Sequence, residues 1–369
     1  MKVLMLGSKE YPMGSNKGDD PLPSGGMEIY IEELVNSLMK YPDLEIIIIT
    51  RKFASSLPFE QKGNVKVYRV PFNRGFYLRN PTFNLMAFMK SLKIDFDVII
   101  SNGDIANVLG LFLSRIKRRP IIMACHGIAS EQPQYNLLIK FLFRIMEKTA
   151  YSNADVVITH SPHQVKKLTK SYDIIFPGLD RERLQTNKDI AESIRNRYKI
   201  GNKKIILFTG RLFKVKGLEY LIKSLPFVKH GYVCFIVGEG PSKKEYELLA
   251  KDLGVNAVFA GFRSDVANFL SLADVFVLPS VGESLNYSML EAAYMKVPIV
   301  VTDLKILPEG CGMIVPKRDE KAIANAINSI IENESMRREM IERAYEYTKK
   351  FNWETAGKKY HEIIKRFER

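Results

Sequence analysis

KKIILFTGRLFKVKGLEYLIKSL, residues 203–225, holds the reading that decides the fold. Its first seven residues hold Ile205, Ile206, Leu207 and Phe208 in one run without polar alternation, the pattern of a strand buried on both faces. A turn containing Gly210 and Gly217 follows, and apolar residues then recur at helical spacing. The rhythm continues through YVCFIVG (232–238), NAVFAG (256–261), DVFVLPS (274–280) and VPIVV (297–301). Upstream it has already run once, through KVLML (2–6), LEIIIIT (44–50), DVIIS (97–101), PIIMAC (120–125) and DVVIT (155–159). Strands alternating with helices predict an α/β protein with two successive doubly wound, Rossmann-like domains. A chain of 369 residues is long for one core and sufficient for two.

The break between the domains is expected at Asp180, after the turn-forming Pro177-Gly178, giving domains at 1–180 and 181–351. Residues 319–350 read as helical, and FNWETAGKKYHEIIKRF (351–367) reads as a capped amphipathic helix. A helix over about 352–369 is left over once the second core is complete, and is free to cross back to the first domain.

Hydrophobic residues at 46% and charged residues at 26% fit a chain that folds throughout. The net charge of +14 asks for a polyanionic neighbour: nucleic acid, an anionic membrane surface or a phosphorylated substrate. The basic residues are dispersed and form no zinc, helix-turn-helix or RNA-recognition signature, so a nucleic-acid-binding protein is the remote alternative. Cys125, Cys234 and Cys311 lie far apart in apolar or Gly-flanked settings, which predicts buried free thiols in a reducing compartment. No apolar stretch reaches the ~20 residues of a membrane span, and the apolar start is too short for a signal peptide, so a cytoplasmic protein is expected.

In open α/β sheets ligands sit beyond the carboxyl ends of the strands, so the residues that follow strands are the candidates. Gly25 and Gly26 open the helix MEIYIEELVNSLMK, where backbone N–H groups and the helix dipole suit a phosphate. A loop-ending glycine pair without a ligand is the plain alternative. Arg211 and Lys216 flank the turn after KKIILFT, an arrangement suited to a diphosphate, or else a solvated basic turn. In PSVGESLNYSMLEAAYMKVPIVV (279–301), Glu283 follows a strand and a glycine, where it can accept from sugar hydroxyls. Glu291 lies two helical turns on among apolar residues and must find partners, for which vicinal ribose hydroxyls are suited. A helix-capping Glu283 and an ion-paired Glu291 are the structural alternatives. His126 ends PIIMAC at a strand terminus, a place where imidazoles are structural as well as catalytic.

Together these segments resemble the retaining GT-B glycosyltransferases of glycosyltransferase family 4 over nearly the whole chain. The carrying element is the pair Glu283 and Glu291 within ESLNYSMLE, supported by GGMEIYIEEL, His126-Gly127, GRLFKVKG, VGEGP (237–241), GFRSDV (261–266) and the terminal FNWE. The resemblance implies two domains facing across a cleft, an acceptor-side one first and a donor-binding one second. It implies transfer of a hexosyl group with retention, from a UDP-sugar or a GDP-sugar such as GDP-mannose, to the hydroxyl of a glycan or lipid-linked acceptor. The diphosphate would be held by the paired-glycine loop at Gly26 with Arg211 and Lys216, and Gly25 and Gly210 would also line the donor site. Glu283 would contact the sugar, with Ser284, Leu285, Asn286 and Tyr287 beside it, and Glu291 the ribose. His126 would support the transferred sugar and the reaction centre, and backbone around Gly261, Phe262 and Arg263 would flank the base. No cofactor and no metal are implied, Arg211 and Lys216 taking the place of a divalent cation. The usual Glu-Gly-Phe-Gly-Leu reads Glu283-Ser284-Leu285-Asn286-Tyr287 here, which reshapes the sugar pocket. TDLKILPEG lacks the usual Gly-Gly before Glu309, and the hinge lacks the common Asn before its Gly.

A nucleotide-sugar epimerase of the same architecture is the alternative enzyme, although no second acid/base set is visible. A dehydrogenase is disfavoured because KVLMLGSKEYPMGS lacks the spaced glycines of a dinucleotide turn. LLIKFLFRIMEK (137–148) sets Lys140, Arg144 and Lys148 at helical spacing beside Leu and Phe, and IKRR (116–119) adds charge. An amphipathic core helix is the favoured reading, and a helix dipping into the anionic inner face of the cell membrane is the other.

Overall fold

The computed structural model describes residues 1–12, 26–75, 78–131, 135–161 and 165–368. They fall into two units, Met1–Gly178 with Phe351–Arg369, and Leu179–Lys350.

The first unit is built in the order β1 (Lys2–Leu6), α1 (Gly26–Leu38), β2 (Glu45–Arg51), β3 (Phe59–Lys62), β4 (Val65–Val70), α2 (Arg79–Ser91), β5 (Val98–Asn102), α3 (Asp104–Lys117), β6 (Ile121–Cys125), α4 (Leu137–Ser152), β7 (Val156–Thr159) and β8 (Asp173–Ile174). The strands form one sheet in the order β3-β4-β2-β1-β5-β6-β7-β8. Every pairing is parallel except the β3–β4 hairpin at the edge. The apolar runs read from sequence become β1, β2, β5, β6 and β7, each buried almost throughout. β4 alternates between buried and half-buried residues, and β3 is mostly exposed, so neither gives a continuous apolar run.

The second unit runs α5 (Lys188–Arg197), β9 (Lys204–Thr209), α6 (Leu218–Ser224), β10 (Tyr232–Val237), α7 (Lys243–Asp252), β11 (Ala257–Gly261), α8 (Val266–Leu272), β12 (Val275–Leu278), α9 (Tyr287–Tyr294), β13 (Ile299–Thr302), β14 (Met313–Val315), α10 (Glu320–Glu332) and α11 (Glu334–Thr348). Its all-parallel sheet has the order β11-β10-β9-β12-β13-β14. The chain winds outward from β9 to β11 and then crosses to β12, which places the topological switch point between β9 and β12. In the first unit the same reversal falls between β1 and β5.

The helical stretch read over 319–350 is two helices. Asn333 breaks it, accepting from Met336 N at 3.0 Å to cap α11. The last helix, α12 (Trp353–Lys365), is capped by Asn352 and belongs to the first unit. Its Ala356, Tyr360, Ile363 and Ile364 share one core with Tyr30, Ile31, Leu34 and Val35 of α1. The units divide after Gly178 and after Lys350, so Leu179 and Asp180 go with the second unit. Gly178 is held in the first unit by close approach: a Cβ there would stand 2.2 Å from the Trp353 ring.

The expectation of a core helix over 137–148 is corrected. Within α4 only Glu147, Ala150 and Tyr151 are buried, while Leu137, Leu138, Phe141, Leu142 and Ile145 are exposed. A helical apolar stripe shows that one face is distinct without showing what covers it. All three cysteines are buried and free. No helix among the described residues is long and apolar enough to cross a membrane.

Candidate functional site

β9 and β12 lie side by side at the switch point of the second sheet, and their carboxyl ends carry most of the residues singled out from sequence. After β9, Gly210 donates its N–H to Val237 O at 3.0 Å, and Leu212 donates to Glu239 O at 2.9 Å. The chain then makes a 3-10 turn over Lys214–Lys216 and reaches Gly217 at φ 62°, from which α6 starts. Val281 N donates to Val215 O at 2.9 Å, tying the loop after β12 to this turn. The turn is thus held from both sides by neighbouring strand-end loops.

Lys216 Nζ donates to Glu283 Oε1, and the two side chains are only 19% and 13% exposed. Ser280 Oγ and Asn286 Nδ2 each donate to the same oxygen at 3.3 Å. Lys216 and Glu283, expected on separate parts of a ligand, therefore form one partly desolvated pair in this structure. Arg211 sits at the head of the same loop, exposed, with its guanidinium 5.7 Å from the Phe213 ring centroid. No carboxylate among the described residues pairs with it.

Asn286, Ser284, Leu285 and Tyr287 fill the step from Glu283 into α9. Asn286 Oδ1 accepts from Met289 N at 2.9 Å, so this side chain caps α9 and steadies Glu283 at once. Capping by Asn286 replaces the alternative in which Glu283 itself caps the helix. Glu291 lies in α9, half-buried. Burial pushes its carboxyl above the ordinary range, while Arg183 pulls it down and Asp180 pushes it up. The structure gives Glu291 no close ion pair among the described residues, in contrast to Glu283.

A carboxyl raised in this way makes the folded state lose stability as pH rises from its unfolded value to its folded one, and the cost stays above that. Glu291→Gln removes the cost. In the ligand-free protein the variant is expected to melt no lower than wild type at pH 7, with the difference shrinking toward pH 4. If the carboxylate accepts from ribose, nucleotide affinity falls by about 10- to 100-fold. Melting curves at the two pH values with nucleotide titrations check both halves; a variant that melts lower at pH 7 would count against this account of the side chain.

Gly261 ends β11 at φ 71° and accepts from Gly238 N at 2.8 Å. Phe262 is exposed, and Arg263 makes a two-pronged contact with Asp265, both bonds at 2.7 Å. The Arg263 side chain is committed to that carboxylate, which leaves backbone as what this edge can offer a ligand. β11 is separated from β9 by β10, so the 261–263 segment stands apart from the Lys216–Glu283 pair.

The first unit carries His126 and Gly26. Gly26 is exposed at the start of α1; Gly25 lies outside the described residues. His126 follows β6, and its Nε2 is 3.0 Å from Asn102 Oδ1, so the ring proton is placed at Nε2. The Tyr30 ring packs edge-on at 4.4 Å between centroids, and Tyr30 is itself held from α12 by the Tyr360 hydroxyl at 2.6 Å. Burial, then the charges of His160 and Lys9, push the His126 imidazole down to about 3. It is neutral at physiological pH, so what it can offer a ligand is a hydrogen bond and not the charge of an imidazolium.

Asn102 and His160 were missed from sequence. Both stand at strand ends, after DVIIS and DVVIT, the position that picked out His126. Asp104, which opens α3 two residues after Asn102, was missed too: burial and the charge of Glu147 push it up to about 7.

The model of the family described as Glycosyltransferase Family 4 matches residues 24–183, and that of Glycosyl transferases group 1 matches 190–347. This chain belongs to glycosyltransferase family 4. Among relatives, it is 27% identical to an uncharacterized glycosyltransferase of Methanocaldococcus jannaschii, over 93% of this chain and 95% of that one. It is 26% identical to the GDP-mannose-dependent alpha-(1-6)-phosphatidylinositol monomannoside mannosyltransferase of Mycolicibacterium smegmatis, over 85% and 87%. Among solved structures, sucrose-phosphate synthase from Thermosynechococcus elongatus superposes with a TM-score of 0.81 at 21% identity, over 99% and 98% of the two chains. The two α/β units are those of a GT-B glycosyltransferase, an enzyme that acts on nucleotide sugars. The models favour transfer over the epimerase alternative.

Proposed function

We propose that this family 4 enzyme moves a hexosyl group, with retention, from a UDP- or GDP-sugar to a hydroxyl of a glycan or lipid-linked acceptor. The observation that carries the reading is the meeting of Lys216 after β9 with Glu283 after β12, at the switch point of the second sheet, with Arg211 at the head of the same loop as Lys216. Arg211, without a carboxylate partner among the described residues, and Lys216 take the charge that builds on the leaving diphosphate, so that no protein-bound metal is required. Glu283 accepts from sugar hydroxyls and Glu291 from ribose. His126, neutral, steadies the transferred sugar by hydrogen bonding.

In the step itself, the bond from the anomeric carbon to the diphosphate oxygen breaks as the acceptor oxygen bonds that carbon on the same face. The acceptor's proton passes to the departing phosphate oxygen. The M. smegmatis relative, a GDP-mannose-dependent mannosyltransferase, supports a nucleotide-linked hexose as donor.

The test has two parts. Thermal-shift titration with UDP, GDP and their sugars should single out one base, since selective binding to the folded state raises its melting temperature. Incubation with that donor should yield a glycoside of the donor's own anomeric configuration by NMR. An inverted product would overturn retention, and an isomerised nucleotide sugar without transfer would overturn the transferase reading.

A further inference from the structure

Ten residues of α4, from Leu137 to Met146, contain no buried side chain. Leu137, Phe141 and Ile145 recur every four residues, with Leu138 and Leu142 beside them, so the exposed apolar residues make one stripe. Leu137 is 85% exposed and Phe141 60%. Lys140, Arg144 and Lys148 recur at the same spacing along the edge of the stripe. The one carboxylate of the helix, Glu147, is turned inward, where it accepts from Ser130 Oγ at 2.6 Å and Ser130 N at 3.2 Å. The outward face is therefore apolar and cationic, with no acidic side chain.

The neighbouring helix continues this character. α3 packs over the same core as α4 and exposes Phe112 and Ile116, one turn apart, at 59% and 60%. Arg115 and Lys117 lie in its last turn.

We propose that this face of the first unit docks on a bilayer carrying anionic lipid, with α4 lying in the headgroup layer. Large apolar side chains enter the boundary between headgroups and acyl chains, while lysine and arginine beside them meet lipid phosphates. A second copy of this chain fits less well. In a two-fold pairing Lys140, Arg144 and Lys148 would meet their own kind, with no carboxylate on the helix face to offset them. The bond from Glu147 to Ser130 ties α4 to the loop that begins at His126-Gly127, so docking would set the strand-end side of this unit close to the lipid surface. The proposal is independent of which reaction the enzyme performs.

The test is co-sedimentation of the full chain with phosphatidylcholine vesicles and with vesicles containing about one-third phosphatidylglycerol, at physiological salt. Wild type should sediment with the anionic vesicles and not with the neutral ones. Lys140→Ser with Arg144→Ser should weaken the partition by about 30-fold, at the usual contribution of a basic residue near an anionic surface. Phe141→Ser with Leu142→Ser should abolish it, while Leu248→Ser, an exposed leucine of the second unit, should leave it unchanged. Arg144, Phe141, Leu142 and Leu248 are exposed and Lys140 is half-buried, so melting temperatures should stay close to the wild-type value, and the charge pair gives a second readout should the apolar pair misfold. Three results would overturn the proposal: no sedimentation of wild type with anionic vesicles, equal sedimentation with neutral ones, or a dimer in sedimentation velocity that Phe141→Ser with Leu142→Ser dissociates.

Discussion

Arg211→Ala is expected to lower turnover by about a hundred- to a thousandfold, the usual cost of deleting one group that stabilises transition-state charge, while leaving the melting temperature unchanged. The Arg211 side chain is exposed, and among the described residues its guanidinium contacts only the Phe213 ring, at 5.7 Å from the centroid. Deleting it should cost the fold no more than about 0.5 kcal/mol. Lys216→Ala should slow the reaction by a similar factor and also destabilise the protein, since it strips a partly desolvated carboxylate of its cation. Breaking a fully buried pair costs about 3–5 kcal/mol, and this more exposed one should cost less. Arg211→Lys separates charge from geometry: it keeps a cation and loses the two-pronged fork, so partial recovery is expected. Turnover with saturating donor, measured beside thermal melts, checks all three variants. Unchanged turnover in Arg211→Ala would remove this residue from the chemistry, and a loss that merely follows the melting temperature would make it structural.

Most of the fold was legible because parallel strands covered on both sides must be continuous apolar runs, and ten such runs are ten of the strands. What escaped was half-exposed or very short: the β3–β4 hairpin, the two-residue β8 and the three-residue β14. The site was legible as far as strand ends mark it. Its internal pairing was not. Lys216 and Glu283 are 67 residues apart, and they meet because β9 and β12 are neighbours across the switch point, which no local pattern states. The charge pattern of α4 was likewise plain, but its direction depends on what packs beside it. The sequence favoured the core for this helix, and the structure leaves its first three turns uncovered.

The backbone that presents Lys216 should be the least forgiving part of the site, and two glycines allow this to be measured cleanly. Gly217 stands at φ 62° and Gly254 at φ 61°, so alanine at either meets the same left-handed penalty of about 1–2 kcal/mol. Around Gly254 nothing lies within 4 Å of the new methyl group. At Gly217 that methyl would stand 2.2 Å from the carbonyl oxygen of Pro279, in the loop that leads to Glu283. Backbone cannot yield as a flexible side chain does, so the turn and the loop after β12 must separate. That strains the bond from Val281 N to Val215 O and carries Lys216 away from Glu283. Gly217→Ala is therefore expected to destabilise the second unit by about 3 kcal/mol or more, against about 1–2 kcal/mol for Gly254→Ala. Nucleotide affinity and turnover should collapse in the first variant and survive in the second when both are assayed well below their melting temperatures. Equal destabilisation by urea unfolding would show that the Pro279 carbonyl does not hold the turn. Intact turnover in Gly217→Ala would show that the position of Lys216 is not set by this packing.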